Sequence, residues 1–197
     1  PQVSSAREGR RAWLAASTHK GEEASILDSH ARLQETYPSL LLLLAPRHPD
    51  RGPALAREAS RRGFRVTRRG AGQTPSTGGG VGGGGGAQTD VHIWDSIGQL
   101  AALYQTVGVG FVGGSLVPLG GHNLLEAARV KGGCAIVHGP HVDAVAESAE
   151  ALAQSRPPAA QRVTNATGPT PHTRSPKPPP TPPNIPPLLT PTPNTSS

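Results

Sequence analysis

Val107-Gly108-Val109-Gly110-Phe111-Val112-Gly113-Gly114-Ser115-Leu116-Val117-Pro118-Leu119-Gly120-Gly121-His122-Asn123-Leu124-Leu125-Glu126 is the stretch that decides the fold. Val107–Val112 is short, uncharged and apolar, the pattern of a strand buried on both faces. A glycine pair follows at once, then a loop to Gly121, and a helix is expected to begin near His122. A buried strand running through a glycine-bracketed loop into a helix is the repeating unit of a parallel α/β sheet.

The same alternation continues in both directions. Ala12–Ala16 reads as a strand, Glu22–Tyr37 as a helix stopped by Pro38, and Leu40–Leu44 as a second strand ended by Pro46. Asp50–Arg62 reads as a helix closed by Gly63, and Phe64–Thr67 as a third strand. Val91–Trp94 is the next strand, followed by a helix over Ser96–Tyr104 with Ser96 as its N-cap. Beyond the central stretch come a strand at Ala135–Val137 and a helix at Val142–Leu152. About six strands and five helices in this order predict a Rossmann-like, doubly wound sheet with helices on both faces. Such sheets bind ligands outside the carboxyl ends of their strands.

Composition sets the limits of that domain. Of 197 residues, 25 are Gly and 22 are Pro, unevenly spread. Residues 155–197 hold 14 of the prolines and no acidic residue, which predicts an extended or disordered tail. Residues 70–87 read as a flexible glycine-rich insertion. The expected organisation is a lead-in over 1–10, one domain over 11–154 and a tail over 155–197. The longest apolar run, Leu40–Ala45, is far shorter than a membrane-spanning helix needs. The single cysteine, Cys134, excludes an intrachain disulfide framework and a multi-cysteine zinc site; it reads as a small buried residue. The net charge is +6, most of it in the tail, too little in the domain to argue nucleic-acid binding. With no methionine anywhere and a start at Pro1, the chain is expected to begin inside a longer protein.

Four post-strand segments carry candidate chemistry. Ser17-Thr18-His19-Lys20-Gly21-Glu22-Glu23 offers hydroxyls beside a helix start, where an anion can bind; it reads equally as an N-cap followed by dipole-favoured acids. Pro46-Arg47-His48-Pro49 presents a guanidinium that can grip a phosphate with two hydrogen bonds, or a solvated surface Arg. Gly113–Glu126 offers backbone N–H groups to a phosphate, and Asn123 and Glu126 stand three apart, on one face of the expected helix. A carboxylate so placed can accept both hydroxyls of a ribose. His138-Gly139-Pro140-His141 could turn an imidazole toward the cleft, without a second metal-type ligand at regular spacing. No metal site is expected.

Together these residues resemble the 3-deoxy-D-manno-octulosonic acid (Kdo) transferases of lipid A biosynthesis. The matching pieces are Ser17-Thr18-His19-x-Gly-Glu22-Glu23, Pro46-Arg47-His48-Pro49, Phe111-Val112-Gly113-Gly114-Ser115, Gly120-Gly121-His122-Asn123-x-x-Glu126-Ala127 and Gly139-Pro140-His141. The resemblance implies the C-terminal, donor-binding half of a two-domain GT-B glycosyltransferase. It implies CMP-Kdo as substrate, no cofactor, and transfer of Kdo to a lipid A precursor (lipid IVA). Arg47 would contact the donor phosphate, Gly113, Gly114 and Ser115 would line the nucleotide pocket, Asn123 would hold phosphate or sugar, and Glu126 the ribose. Ser17, Thr18, His19, His48, His122 and His141 would lie along the cleft. The general base is expected in an N-terminal half, to which none of these motifs belongs. The family's setting implies a membrane surface, at the cytoplasmic face of a bacterial inner membrane or in a mitochondrion or plastid. His138 and Leu124 depart from the family pattern, as does the Pro-rich tail. Three alternatives stay open: a non-catalytic nucleotide-binding module, a GT-B transferase using another nucleotide sugar, and a basic scaffold built on Arg61, Arg62, Arg65, Arg68 and Arg69.

Overall fold

The computed structural model describes residues 10–78, 87–130, 134–155 and 160–162. The chain divides into two units, Pro1–Ala166 and Thr167–Ser197, and every described residue lies in the first. The expectations for the lead-in before Arg10, the glycine run 79–86 and the tail after Arg162 lie outside the described residues.

The described elements run β1 (Ala12–Thr18), α1 (Glu23–Thr36), β2 (Leu41–Pro46), α2 (Gly52–Arg61), β3 (Val66–Arg68), β4 (Val91–Ile93), α3 (Leu100–Tyr104), β5 (Val109–Val112), α4 (Leu125–Ala128), β6 (Ala135–His138), α5 (Ala146–Gln154) and β7 (Ala160–Arg162). All the strands are parallel, in the order β3-β4-β2-β1-β5-β6-β7. The order reverses at β1, with β2 on one side and β5 on the other. The carboxyl ends of β1 and β5 therefore flank the crevice where such sheets bind ligands. The doubly wound fold expected from the alternation is present.

The leucine run explains itself once the sheet is formed. Successive strand side chains point to opposite faces. Leu14, Ala16, Leu41, Leu43, Val112 and Ile136 pack with Leu103, Tyr104, Ala127 and Ala149 of α3, α4 and α5. Ala15, Leu42, Leu44, Val91, Ile93 and Phe111 pack with Ile26, Leu27, Leu55 and Ala59 of α1 and α2. Strands clothed by helices on both sides need apolar residues at every position, so β2 is six consecutive buried residues. Each fully buried Leu contributes about 1.5–3 kcal/mol.

Several boundaries differ from the sequence-based expectation, each for a local reason. β1 runs on to Thr18 through a bulge, its register against β2 shifting between Ala16 and Thr18. The helix expected from Ser96 starts only at Leu100, and the Ser96 hydroxyl makes no hydrogen bond, so it is no cap. The helix expected near His122 is the four-residue α4, because Gly120 and Gly121, both at φ +82°, turn the chain before it. A 3-10 turn, Pro49–Arg51, leads into α2, and another, Asp143–Val145, into α5. Within the segment read as tail, β7 pairs in parallel with β6, Ile136 opposite Ala160, and brings the described sheet to seven strands.

Two buried histidines belong to the core. His30 is fully buried; its Nδ1 accepts from Trp13 Nε1 (3.2 Å) and its Nε2 donates to the Asp90 carbonyl (3.0 Å). The acceptor role requires a lone pair, so the ring is held neutral. His92 is buried in β4 with Nδ1 2.8 Å from Thr67 Oγ1. Burial pulls each down to about 4, against an ordinary value of 6.5. Above pH 6.5 the rings are neutral in both folded and unfolded chains. Between 6.5 and 4 only the unfolded chain takes up their protons, so stability falls as pH falls. Urea unfolding across this window is expected to lose about 1.4 kcal/mol per pH unit for each histidine. Stability constant over that range would contradict their neutral burial.

Candidate functional site

The site begins where β1 ends. Ser17 sits at the bulge with φ +54°, the one non-glycine residue at positive φ among the described residues. A left-handed serine costs on the order of 1 kcal/mol, held here by what surrounds it. The Ser17 carbonyl lies directly against Gly113, where a Cβ would collide with it, so position 113 admits only glycine. The Gly113 N–H donates to the Ala16 carbonyl (2.8 Å), and the Arg47 N–H donates to the Thr18 carbonyl (3.0 Å). The ends of β1, β2 and β5 are thereby tied together.

Glu22 does most of that tying. It is completely buried. One carboxylate oxygen accepts from the N–H groups of His19 (2.8 Å) and Gly114 (2.9 Å), the other from those of Ser115 (3.0 Å) and Leu116 (2.9 Å). Four donors offset the cost of taking a carboxylate out of water. The sequence reading made Glu22 a dipole-favoured acid in the first turn of a helix. Instead it stands ahead of α1 and grips the loop after β5. The spacing Ser-Thr-His-x-Gly-Glu held the only signal, and nothing local to it names the partner loop ninety residues away.

This arrangement corrects the reading of Gly113, Gly114 and Ser115 as a phosphate cradle. Their N–H groups, and that of Leu116, are spent inside the protein. The Ser115 side chain is spent as well, donating to the Val112 carbonyl (2.6 Å) and accepting from the Gly139 N–H (2.9 Å). The loop holds the crevice in shape and presents no free donors from these four residues. The expected helix dipole is likewise slight, because α4 has only four residues.

Side chains supply the chemistry. A cavity of about 320 Å³ opens at the carboxyl edge, with Ser17, Arg47, His122, Asn123 and Glu126 as its polar wall and Leu100, Tyr104 and Val112 as its apolar one. Five of the expected residues, Ser17, Arg47, His122, Asn123 and Glu126, converge there from three distant segments. Asn123 lies outside α4, and its Oδ1 accepts from the Leu125 N–H (2.9 Å), which leaves the amide –NH2 free to face a ligand. Tyr104, named in the sequence analysis only as the end of its helix, also lines this cavity. A larger groove of about 870 Å³ runs along α1 beside Trp13, Leu33, Tyr37 and Phe111. It gathers none of the expected residues.

Beside the cavity stands a cluster of imidazoles. His19 Nε2 and His122 Nε2 are 2.7 Å apart with their rings stacked, and His48 meets His19 edge-on at 5.7 Å. The short contact requires one nitrogen to carry a proton and the other a lone pair. Burial lowers both pKa values, and for His122 the adjacent His19 and Arg47 charges lower it further. Thr18 and His141 are not among the residues lining the cavity. The His141 N–H donates to the Ser115 carbonyl (2.9 Å), and Thr18 is fully buried with its hydroxyl unbonded.

The remaining candidates take structural roles. Cys134 is buried, and burial pushes its thiol up to about 11, far from a nucleophile. Arg61 and Arg62 pair with Glu58, Arg62 also with Asp28, Arg65 with Asp90 and Arg68 with Asp95. Arg69 lies over the Trp94 ring at 4.2 Å. The basic run is neutralised locally, which removes the scaffold reading. Among the described residues no three His, Cys, Asp or Glu side chains are grouped as metal ligands.

No family model matches the chain. Over 125 residues it is 42% identical to the 3-deoxy-D-manno-octulosonic acid transferase of Haemophilus influenzae, covering 64% of this chain and 27% of that protein. Over 150 residues it is 34% identical to a probable mitochondrial 3-deoxy-D-manno-octulosonic acid transferase of Arabidopsis thaliana, covering 75% of this chain and 31% of that one. Its fold is similar to the crystal structure of the C-terminal CMP-Kdo binding domain of WaaA from Acinetobacter baumannii. The TM-score is 0.66 at 29% identity, over 77% of this chain and 75% of that one. The chain thus spans between a quarter and a third of the length of these curated relatives.

The Glu22 latch generates a direct prediction. Glu22→Gln keeps the size and places an amide –NH2 against two backbone donors. We expect a loss of about 2–4 kcal/mol, from hydrogen bonds to a charged group and the donors left unpaired. Urea unfolding measures it, and a loss below about 0.5 kcal/mol would show that the latch is not what holds the loops.

Proposed function

We propose that this chain, which belongs to the 3-deoxy-D-manno-octulosonic acid transferase family and corresponds to the C-terminal domain of its members, binds CMP-Kdo in the cavity at the carboxyl ends of β1, β2 and β5. The observation that carries this reading is the convergence of Arg47 with Asn123 and Glu126, from two segments far apart in sequence, on one cavity at the reversal of strand order. Arg47 pairs with the phosphate, Glu126 accepts from the ribose hydroxyls, and the Asn123 amide reaches the phosphate or the sugar. Ser17 and the His19–His122 pair edge the donor at the mouth.

In the reaction so proposed, the bond between the anomeric carbon of Kdo and the phosphate oxygen breaks, and CMP leaves with that electron pair. The Arg47 guanidinium offsets the charge growing on the leaving phosphate, an effect that strengthens where water is excluded. The acceptor hydroxyl, on a lipid A precursor such as lipid IVA, forms the new bond. Its proton passes to a base supplied by the acceptor-binding half of the GT-B pair, since a two-walled cleft is needed to orient both substrates. The domain by itself is a donor-binding module. The curated relatives include bacterial proteins and one plant protein named as mitochondrial, and a lipid-linked acceptor would bring the parent enzyme to a membrane surface. No helix among the described residues is long and apolar enough to cross one.

Calorimetric titration of the full chain with CMP tests the proposal. Saturable binding is expected, weakened about ten-fold or more by Arg47→Ala and by Glu126→Ala, consistent with about 1.5–3 kcal/mol for a hydrogen bond to a charged group. A folded chain that takes up no CMP would overturn the reading.

A further inference from the structure

Tyr104 is a buried residue of the cavity whose polar atom has no hydrogen-bond partner among the described residues. The side chain is 1% exposed. Its ring packs into the core beside Gly110 and Cys134, with Cδ1 and Cε1 against the place where a Cβ on Gly110 would stand. The same residue lines the cavity with Glu126 and Asn123. Its hydroxyl makes no hydrogen bond among the described residues, yet it is not among the buried polar atoms shut away from every probe. The neighbouring Glu126 charge acts on the phenol, which sets the hydroxyl on the side of the cavity. A nearly buried phenol without a partner costs free energy in the empty protein, and phenylalanine would fill the same core position without that cost.

We propose that Tyr104 is a binding residue for the nucleoside end of the ligand, its hydroxyl hydrogen-bonding a ribose hydroxyl that also donates to the Glu126 carboxylate. This rests on the donor-pocket reading and extends it, making Tyr104 with Glu126 the pair that distinguishes a ribonucleotide from its deoxy counterpart. The two groups are complementary. A carboxylate only accepts, whereas a phenol both donates and accepts, so together they satisfy a sugar hydroxyl in both of its roles. Burial and the neighbouring Glu126 charge keep the phenol protonated, as the donor role requires. A site that hydrogen-bonds a substrate hydroxyl rejects the analogue lacking it, because its own buried polar groups are then left unpaired.

The test is calorimetry on the full chain with CMP, 2′-deoxy-CMP and 3′-deoxy-CMP, for the unmodified protein and Tyr104→Phe. The unmodified protein is expected to bind CMP at least ten-fold more tightly than one of the deoxy compounds. Tyr104→Phe is expected to weaken CMP about five-fold or more, to leave affinity for that deoxy compound within two-fold, and to melt at the same or a higher temperature. Unchanged CMP affinity in Tyr104→Phe, or an equal loss toward CMP and both deoxy compounds, would overturn the inference while the donor-pocket reading stands. Absence of CMP binding by the unmodified protein would overturn both. Should the variant fold poorly, the comparison of the three ligands on the unmodified protein still decides: equal affinity for all three would sink the proposal.

Discussion

The Glu22 carboxylate, buried and surrounded by four backbone N–H donors, is the contact on which the shape of this site depends. It lies between the carboxyl end of β1 and the start of α1, and three of its donors come from the loop after β5. It therefore sets the spacing of the two strand ends where the sheet reverses direction. Removing either side would leave buried charge or buried donors unpaired, which is the costliest kind of loss in a protein interior. Its consequence for chemistry is a displacement of roles. Because the glycine loop spends its donors on Glu22, the polar groups left facing the cavity are side chains, the guanidinium of Arg47 among them.

Two further constraints sharpen that geometry. Ser17 is held in a left-handed conformation at the β1 bulge, and Gly113 accommodates its carbonyl without a side chain. Gly120 and Gly121 turn the chain so that His122, Asn123 and Glu126 arrive at the crevice ahead of and within a single helical turn. Each cavity group is borne on an element end anchored by the parallel sheet below it. That is how a small cavity can hold polar groups from distant parts of the chain in fixed relation, and preorganisation of this kind lowers the ordering cost of binding.

The charged residues divide along the same line. The arginines from Arg61 to Arg69 find acidic or aromatic partners around α2, β3 and β4, so their charge is used locally. Arg47 has no such acid beside it among the described contacts, and it faces the cavity. His30 and His92 are neutral core residues with their nitrogens engaged, whereas His19, His48 and His122 gather at the crevice. Residue type alone separates none of these cases.

The sequence by itself determined the alternation of strands and helices, the parallel sheet and the placing of Arg47, Asn123 and Glu126 after its strands, because those depend on local pattern. Continuous apolar runs at Leu40–Ala45 and Val107–Val112 can be satisfied only by strands covered on both faces, and polar residues placed directly after such strands can only emerge at one edge. It misjudged the starts of α3 and α4, where turn geometry overrides propensity, and it left out β7, whose three residues carry no apolar pattern. Only the tertiary structure decided that Glu22 is a latch and no surface acid, that Gly114 and Ser115 present no free N–H groups, and that Tyr104 lines the cavity while His141 does not. The reason is physical: a hydrogen bond is defined by which donor and acceptor meet. In a parallel sheet the partners at neighbouring strand ends are separated by whole crossover connections, so the sequence around either one holds no record of the other.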